Sequence, residues 1–154
     1  MSPRERAEAE VVAILGPRIR EYVPENAIDH PAVWVSQCFA ALAAAVASGD
    51  ARAISIACDL IELDPKLPFG KLIKSDLARA LKKQASRLIA DERRKVLAAT
   101  QKLLSLPFTP RELEDYGKLV KKFPGAEVSA MLASVSATTE KAQHVVQELS
   151  RSAA

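Results

Sequence analysis

"LPFTPRELEDYGKLVKK", residues 106–122, repeats "LPFGKLIKSDLARALKK", residues 67–83, at an offset of 39. Six of the 17 aligned positions are identical: Leu67-Pro68-Phe69 meets Leu106-Pro107-Phe108, Asp76 meets Asp115, and Lys82-Lys83 meets Lys121-Lys122. Leu77/Tyr116, Ala78/Gly117, Arg79/Lys118 and Leu81/Val120 are alike in kind. Each copy follows another helical pattern, so the repeated unit is a pair of helices. One pair buries its apolar face poorly alone, and a second copy stacked on it makes a continuous core.

The rest of the chain is also written in helices. Ser2-Pro3-Arg4-Glu5 and Thr109-Pro110-Arg111-Glu112 share one grammar: a hydroxyl cap, Pro in the first turn, and Glu placed to reach back to the cap. His30-Pro31, Asp50 and Asp64-Pro65 mark further starts. Seven helices are expected, at about 3–22, 31–48, 50–63, 68–84, 88–105, 109–123 and 126–150. Pro17 should split the first, because it removes a hydrogen bond and crowds the carbonyl of Ala13. No alternating strand pattern of any length appears. With 154 residues, 49% hydrophobic, 27% charged and only five glycines, the chain suits a single all-α domain that needs neither disulfide nor metal to hold it. The expected architecture is a short α-solenoid-like stack. Residues 1–49 form N-terminal capping helices, 50–123 the two helix-pair repeats, and 124–154 a long C-terminal helix.

The period, the helix pairing and the Leu-Pro-Phe turn over residues 50–123 resemble HEAT and armadillo repeats, whose units are helix pairs or triplets of about 40 residues. The run "LLSLPFTPRELEDYGKLVKK" is also similar to the helical N-terminal domain of the transcription elongation factor S, without that family's Ile-Gly and Trp positions. Both families are mainly protein-interaction modules, so both resemblances imply a non-enzymatic adaptor.

Charge is segregated along the chain. Residues 66–122 hold 15 basic and 6 acidic side chains, while residues 1–65 hold 5 basic and 10 acidic. Arg79, Lys83 and Arg87 share a face if their helix continues, and repeat equivalence brings Lys82-Lys83 and Lys121-Lys122 to one end of neighbouring helices. The candidate partner-binding residues are therefore Arg79, Lys82, Lys83, Arg87, Lys118, Lys121 and Lys122. An acidic protein surface is the expected partner, and nucleic acid is the alternative. Lysines near a helix C-terminus also simply complement its dipole, and Glu114 with Lys118 forms an ordinary i,i+4 pair.

Val128, Met131, Val135, Thr138, Ala142, Val145 and Leu149 follow 3,4 spacing along the last predicted helix. Such a seam either packs on the sixth helix or joins two copies of the chain, a homodimer through Val128, Met131, Val135, Val145 and Leu149.

Other chemistry has little support. His30 and His144 lie far from each other and from Cys38 and Cys58. No Gly-rich phosphate loop, Gly-x-Ser-x-Gly elbow, Cys-x-x-Cys or metal-ligand spacing is present, so no catalytic residue, metal or cofactor is expected. Both cysteines sit in apolar helical stretches and read as buried free thiols, which fits a cytoplasmic protein. The charged start, MSPRERAEAE, is unlike a secretory signal. Residues 31–49 carry no charge, but their many alanines and the polar Ser36, Gln37 and Ser48 favour a central packed helix over a membrane span.

Overall fold

The computed structural model describes residues 1–23, 30–66 and 70–154. Among the described residues every regular element is helical: α1 (Pro3–Leu15), α2 (Pro31–Ala47), α3 (Ala51–Leu63), α4 (Gly70–Lys83), α5 (Ala90–Leu104), α6 (Leu113–Val120), α7 (Gly125–Leu132) and α8 (Glu140–Ala153). Two 3-10 turns, Pro17–Tyr22 and Ala85–Arg87, complete the set.

Local chemistry sets most of the boundaries. The Ser2 hydroxyl accepts from the Glu5 amide at 3.1 Å, and the Glu5 carboxylate accepts in return from the Ser2 amide at 3.4 Å. α1 stops at Leu15, and Pro17 opens a 3-10 turn rather than continuing the helix. His30 Nδ1 accepts from the Val33 amide at 3.5 Å, and Asp50 Oδ1 accepts from the amides of Arg52 and Ala53 at 2.9 and 3.1 Å.

Two expected starts turn out otherwise. Asp64 ends α3: its φ of +49° lies in the left-handed region, and its amide donates back to the Leu60 carbonyl. Thr109 caps nothing, because α6 begins only at Leu113. The Thr109 hydroxyl is engaged across the fold, 2.9 Å from that of Thr139.

The long last helix is also two helices. α7 and α8 are separated by residues 133–139, where Ser134, Val135, Ser136, Thr138 and Thr139 are all poorer helix formers than their neighbours. Thr139 then caps α8 by accepting from the Ala142 amide at 3.1 Å. The 3,4 apolar spacing runs through this break without registering it. Val128, Met131, Val145 and Leu149 are buried within the chain, and Val135 lies half-buried in the connection. They form no continuous seam along one helix, and α8 packs on α6, the first of the two expected arrangements.

Packing follows a two-layer scheme. α1 packs on α2, α3 on α4, α5 on α6 and α7 on α8. Between pairs, α1 packs on α3, α3 on α5 and α5 on α7 in one layer, and α2 on α4, α4 on α6 and α6 on α8 in the other. The side chains that bridge neighbours show the register. Asp59 on α3 binds Lys95 on α5, and Arg79 on α4 binds Asp115 on α6, both across 36 residues of sequence. The two bridges span the same separation and join α3 to α5 and α4 to α6 at matching points. The value is about one helical turn less than the sequence offset.

α2 is apolar nearly all round and lies at the most crowded point, against α1, α3 and α4. Its Trp34, Cys38, Phe39, Leu42 and Val46 are buried, and α4 meets it with Ile73, Leu77 and Leu81. Burying each large side chain of this kind is worth about 1.5–3 kcal/mol before entropy is charged. Two glycines allow close approaches. Gly49, at φ +91°, ends α2 beneath the Arg87 guanidinium, and Gly117 lets Val145 of α8 reach α6, where a Cβ would stand 3.2 Å from Val145 Cγ1. Leu67-Pro68-Phe69 lies outside the described residues. Its counterpart Phe108 is an exposed turn residue, at 59% accessibility.

Candidate functional site

Six of the fifteen cations of the basic block are paired with carboxylates of the fold among the described residues. Lys95 on α5 donates to Asp59 on α3, and Arg18, from the turn after α1, donates to the other oxygen of the same carboxylate. Arg94 reaches Glu62 at 3.1 Å and Asp91 at 2.9 Å, Lys74 holds Asp64, and Arg93 grips Glu127 of α7 at 3.0 Å. Part of the sequence's charge asymmetry is thus a zipper between successive helix pairs. Acidic groups of α3 face basic groups of α5, and one acidic group of α7 faces α5 from the other side. The contact with Asp59 raises the Lys95 pKa, and the hydrogen bond from Arg94 lowers that of Asp91.

Three of the seven candidate residues are held by their own chain. Arg79 places Nε 3.2 Å from Asp115 Oδ1 and Nη2 3.4 Å from Oδ2, and a third bond runs to Asp76. Its fork joins α4 to α6 and leaves little capacity for a partner. Arg87 does not continue the α4 face, because α4 ends at Lys83. It sits in the following 3-10 turn and donates to the Gly49 carbonyl at 3.3 Å. Lys118 pairs with Glu114 at 3.5 Å, as i,i+4 spacing predicts.

The other four differ. Lys82 and Lys83 end α4, Lys121 and Lys122 follow α6, all four are exposed, and none has a carboxylate partner among the described residues. α4 and α6 are packed neighbours, and each is followed or ended by one of the two lysine pairs. Gln84, just beyond, donates to the Ala47 carbonyl at 2.7 Å and pins the end of α4 to the end of α2.

A feature the sequence did not announce adjoins Lys121. α6 and α8 diverge over a groove of about 270 Å³ with Gly117, Val145 and Leu149 in its floor and Lys118, Lys121, Lys141 and His144 on its walls. Lys141 reaches back to Glu114 at 3.3 Å, and His144 contacts Glu148 at 3.1 Å. The contact across helices with Lys141 holds the Glu114 carboxyl below the usual carboxylate range, with help from Lys118.

Elsewhere the reactive groups are quiet. Cys38 and Cys58 are free and buried, and burial pushes the Cys38 thiol up to about 12 and raises that of Cys58 as well. Among the described residues no cluster of three His, Cys, Asp or Glu side chains is arranged to hold a metal ion, and no helix is long and apolar enough to cross a membrane. No protein-family model, curated protein or solved structure matches the chain.

Proposed function

We propose that this chain is a HEAT-like interaction module of the cytoplasm, without catalytic activity, that presents the lysine edge of α4 and α6 to an acidic protein. The observation that carries this function is the contrast within one basic block. Arg79, Arg93, Arg94 and Lys95 are bound by carboxylates of the fold, whereas Lys82, Lys83, Lys121 and Lys122, like Lys66, Lys102 and Arg111, are exposed without a carboxylate partner among the described residues. Four desolvation-free cations at the ends of α4 and α6 form a positive field that steers an acidic surface. The two buried, protonated thiols support a reducing compartment.

The test is charge reversal at all four lysines, followed by affinity capture from the native cell with and without nuclease. Capture of an acidic protein that survives nuclease and disappears in the variant is the expected result, with a melting temperature nearly unchanged. Capture that persists in the variant removes the edge from consideration, and capture abolished by nuclease makes nucleic acid the partner.

A further inference from the structure

We infer that the groove between α6 and α8 is a peptide-binding site, and that its occupant is an acidic segment carrying one apolar side chain. The inference rests on the interaction function above and locates where the acidic partner docks. Three features of the groove define the ligand.

The floor is apolar. Val145 and Leu149 face α6 across Gly117, whose missing side chain lets α8 close on α6. The aliphatic stems of Lys118 and Lys121 extend that apolar lining up the wall. A space of about 270 Å³ takes one apolar side chain with its flanking backbone.

The charge is distributed unevenly. Glu114 is already paired with Lys118 and Lys141, and Glu148 lies against His144, a contact that is an ion pair when the imidazole is protonated. Lys121 has no carboxylate partner among the described residues, and an adjoining hollow lined by Lys121, Glu148, Arg151 and Ser152 adds Arg151, which has none among them either. The cationic capacity left over is therefore at the mouth nearest the lysine edge, continuous with Lys122.

The same walls disfavour a phosphate chain. No Phe, Tyr or Trp ring lies among the lining groups on which a base could stack. A peptide can place its carboxylates against Lys121 and Arg151 one at a time and leave Glu114 facing an uncharged position.

The probe is a short peptide of Asp and Glu with a single central Leu, titrated into the full chain labelled with 15N. The amides of Gly117, Lys121 and Val145 are expected to shift together. The Lys121→Glu/Arg151→Glu variant should bind about fivefold or more weakly, the change that loss and reversal of exposed ion pairs produces. Replacing the central Leu of the probe by Ser should weaken binding in the unaltered protein, so the result does not depend on the variant folding. No shift at Gly117 and Val145 with millimolar peptide, equal affinity for the Ser peptide, or displacement of the peptide from the groove by a single-stranded oligonucleotide overturns the inference. Partner capture lost in Lys82→Glu/Lys83→Glu alone, with peptide binding absent from the groove, ends this inference and leaves the lysine edge standing.

Discussion

The Asp59 side chain joins three successive helix pairs, and its removal is the sharpest test of the stacked arrangement. Asp59→Ala takes one acceptor from Arg18, beyond α1, and one from Lys95 on α5. Charged hydrogen bonds of this kind contribute about 1.5–3 kcal/mol each when sheltered, and under 1 kcal/mol when exposed. The three side chains lie between, at 34%, 22% and 18% accessibility for Arg18, Asp59 and Lys95. Both cations also keep other acceptors. Arg18 retains the Leu15 carbonyl at 3.2 Å and Ser55 Oγ at 3.3 Å, and Lys95 retains Asp91 at 3.4 Å. A net loss of about 2 kcal/mol follows, which for a chain of this size lowers the melting temperature by about 4–8 °C. Circular dichroism at increasing temperature measures it. A double-mutant cycle with Lys95→Ala should return a coupling of about 1 kcal/mol. A loss below about 0.5 kcal/mol with no coupling would refute the idea that cross-unit charges hold the stack.

Gly49→Ala meets two obstacles, a φ of +91° and a new Cβ about 2.4 Å from Arg87 Nη1, and should cost about 1–2 kcal/mol by urea denaturation. Arg87→Ala should remove only the steric part of that penalty. Thr139→Ala removes the cap of α8 and the Thr109 contact, a loss of about 1 kcal/mol that should appear as faster amide exchange in the first turn of α8. The carboxyl of Glu114 titrates below its unfolded value, so its contribution is present above the unfolded pKa and fades as pH falls through the lower, folded one. A side-chain NMR titration should show this, and Lys141→Ala should move the midpoint back towards an ordinary carboxylate.

Helices were legible where capping chemistry and periodicity agreed. Ser2, His30-Pro31, Asp50 and Pro17 each marked a boundary that the fold observes. The repeated phrase likewise pointed to α4 and α6 as neighbours. Failures came where one signal masked another. Val135 and Thr138 kept the apolar period alive across the α7–α8 connection, so a break set by Ser and Thr went unseen, and the groove on α8 went with it. Asp64 before Pro65 is written like a cap, yet its left-handed φ makes it a stop. Sequence proximity also overstated the cationic patch. The residues that neutralise Arg79, Arg93 and Lys95 lie 36, 34 and 36 positions away, and no local pattern exposes a partner that distant.

The one-step register has a consequence for how the molecule comes apart. Each helix pair leans chiefly on the pair before and the pair after it, so opening the second or third pair would bare two apolar faces, and opening either outer pair only one. Breathing should therefore begin at the outer pairs and travel inward, and hydrogen exchange along the chain should rise to a plateau of protection in the middle and fall again, like a strip peeled from both ends.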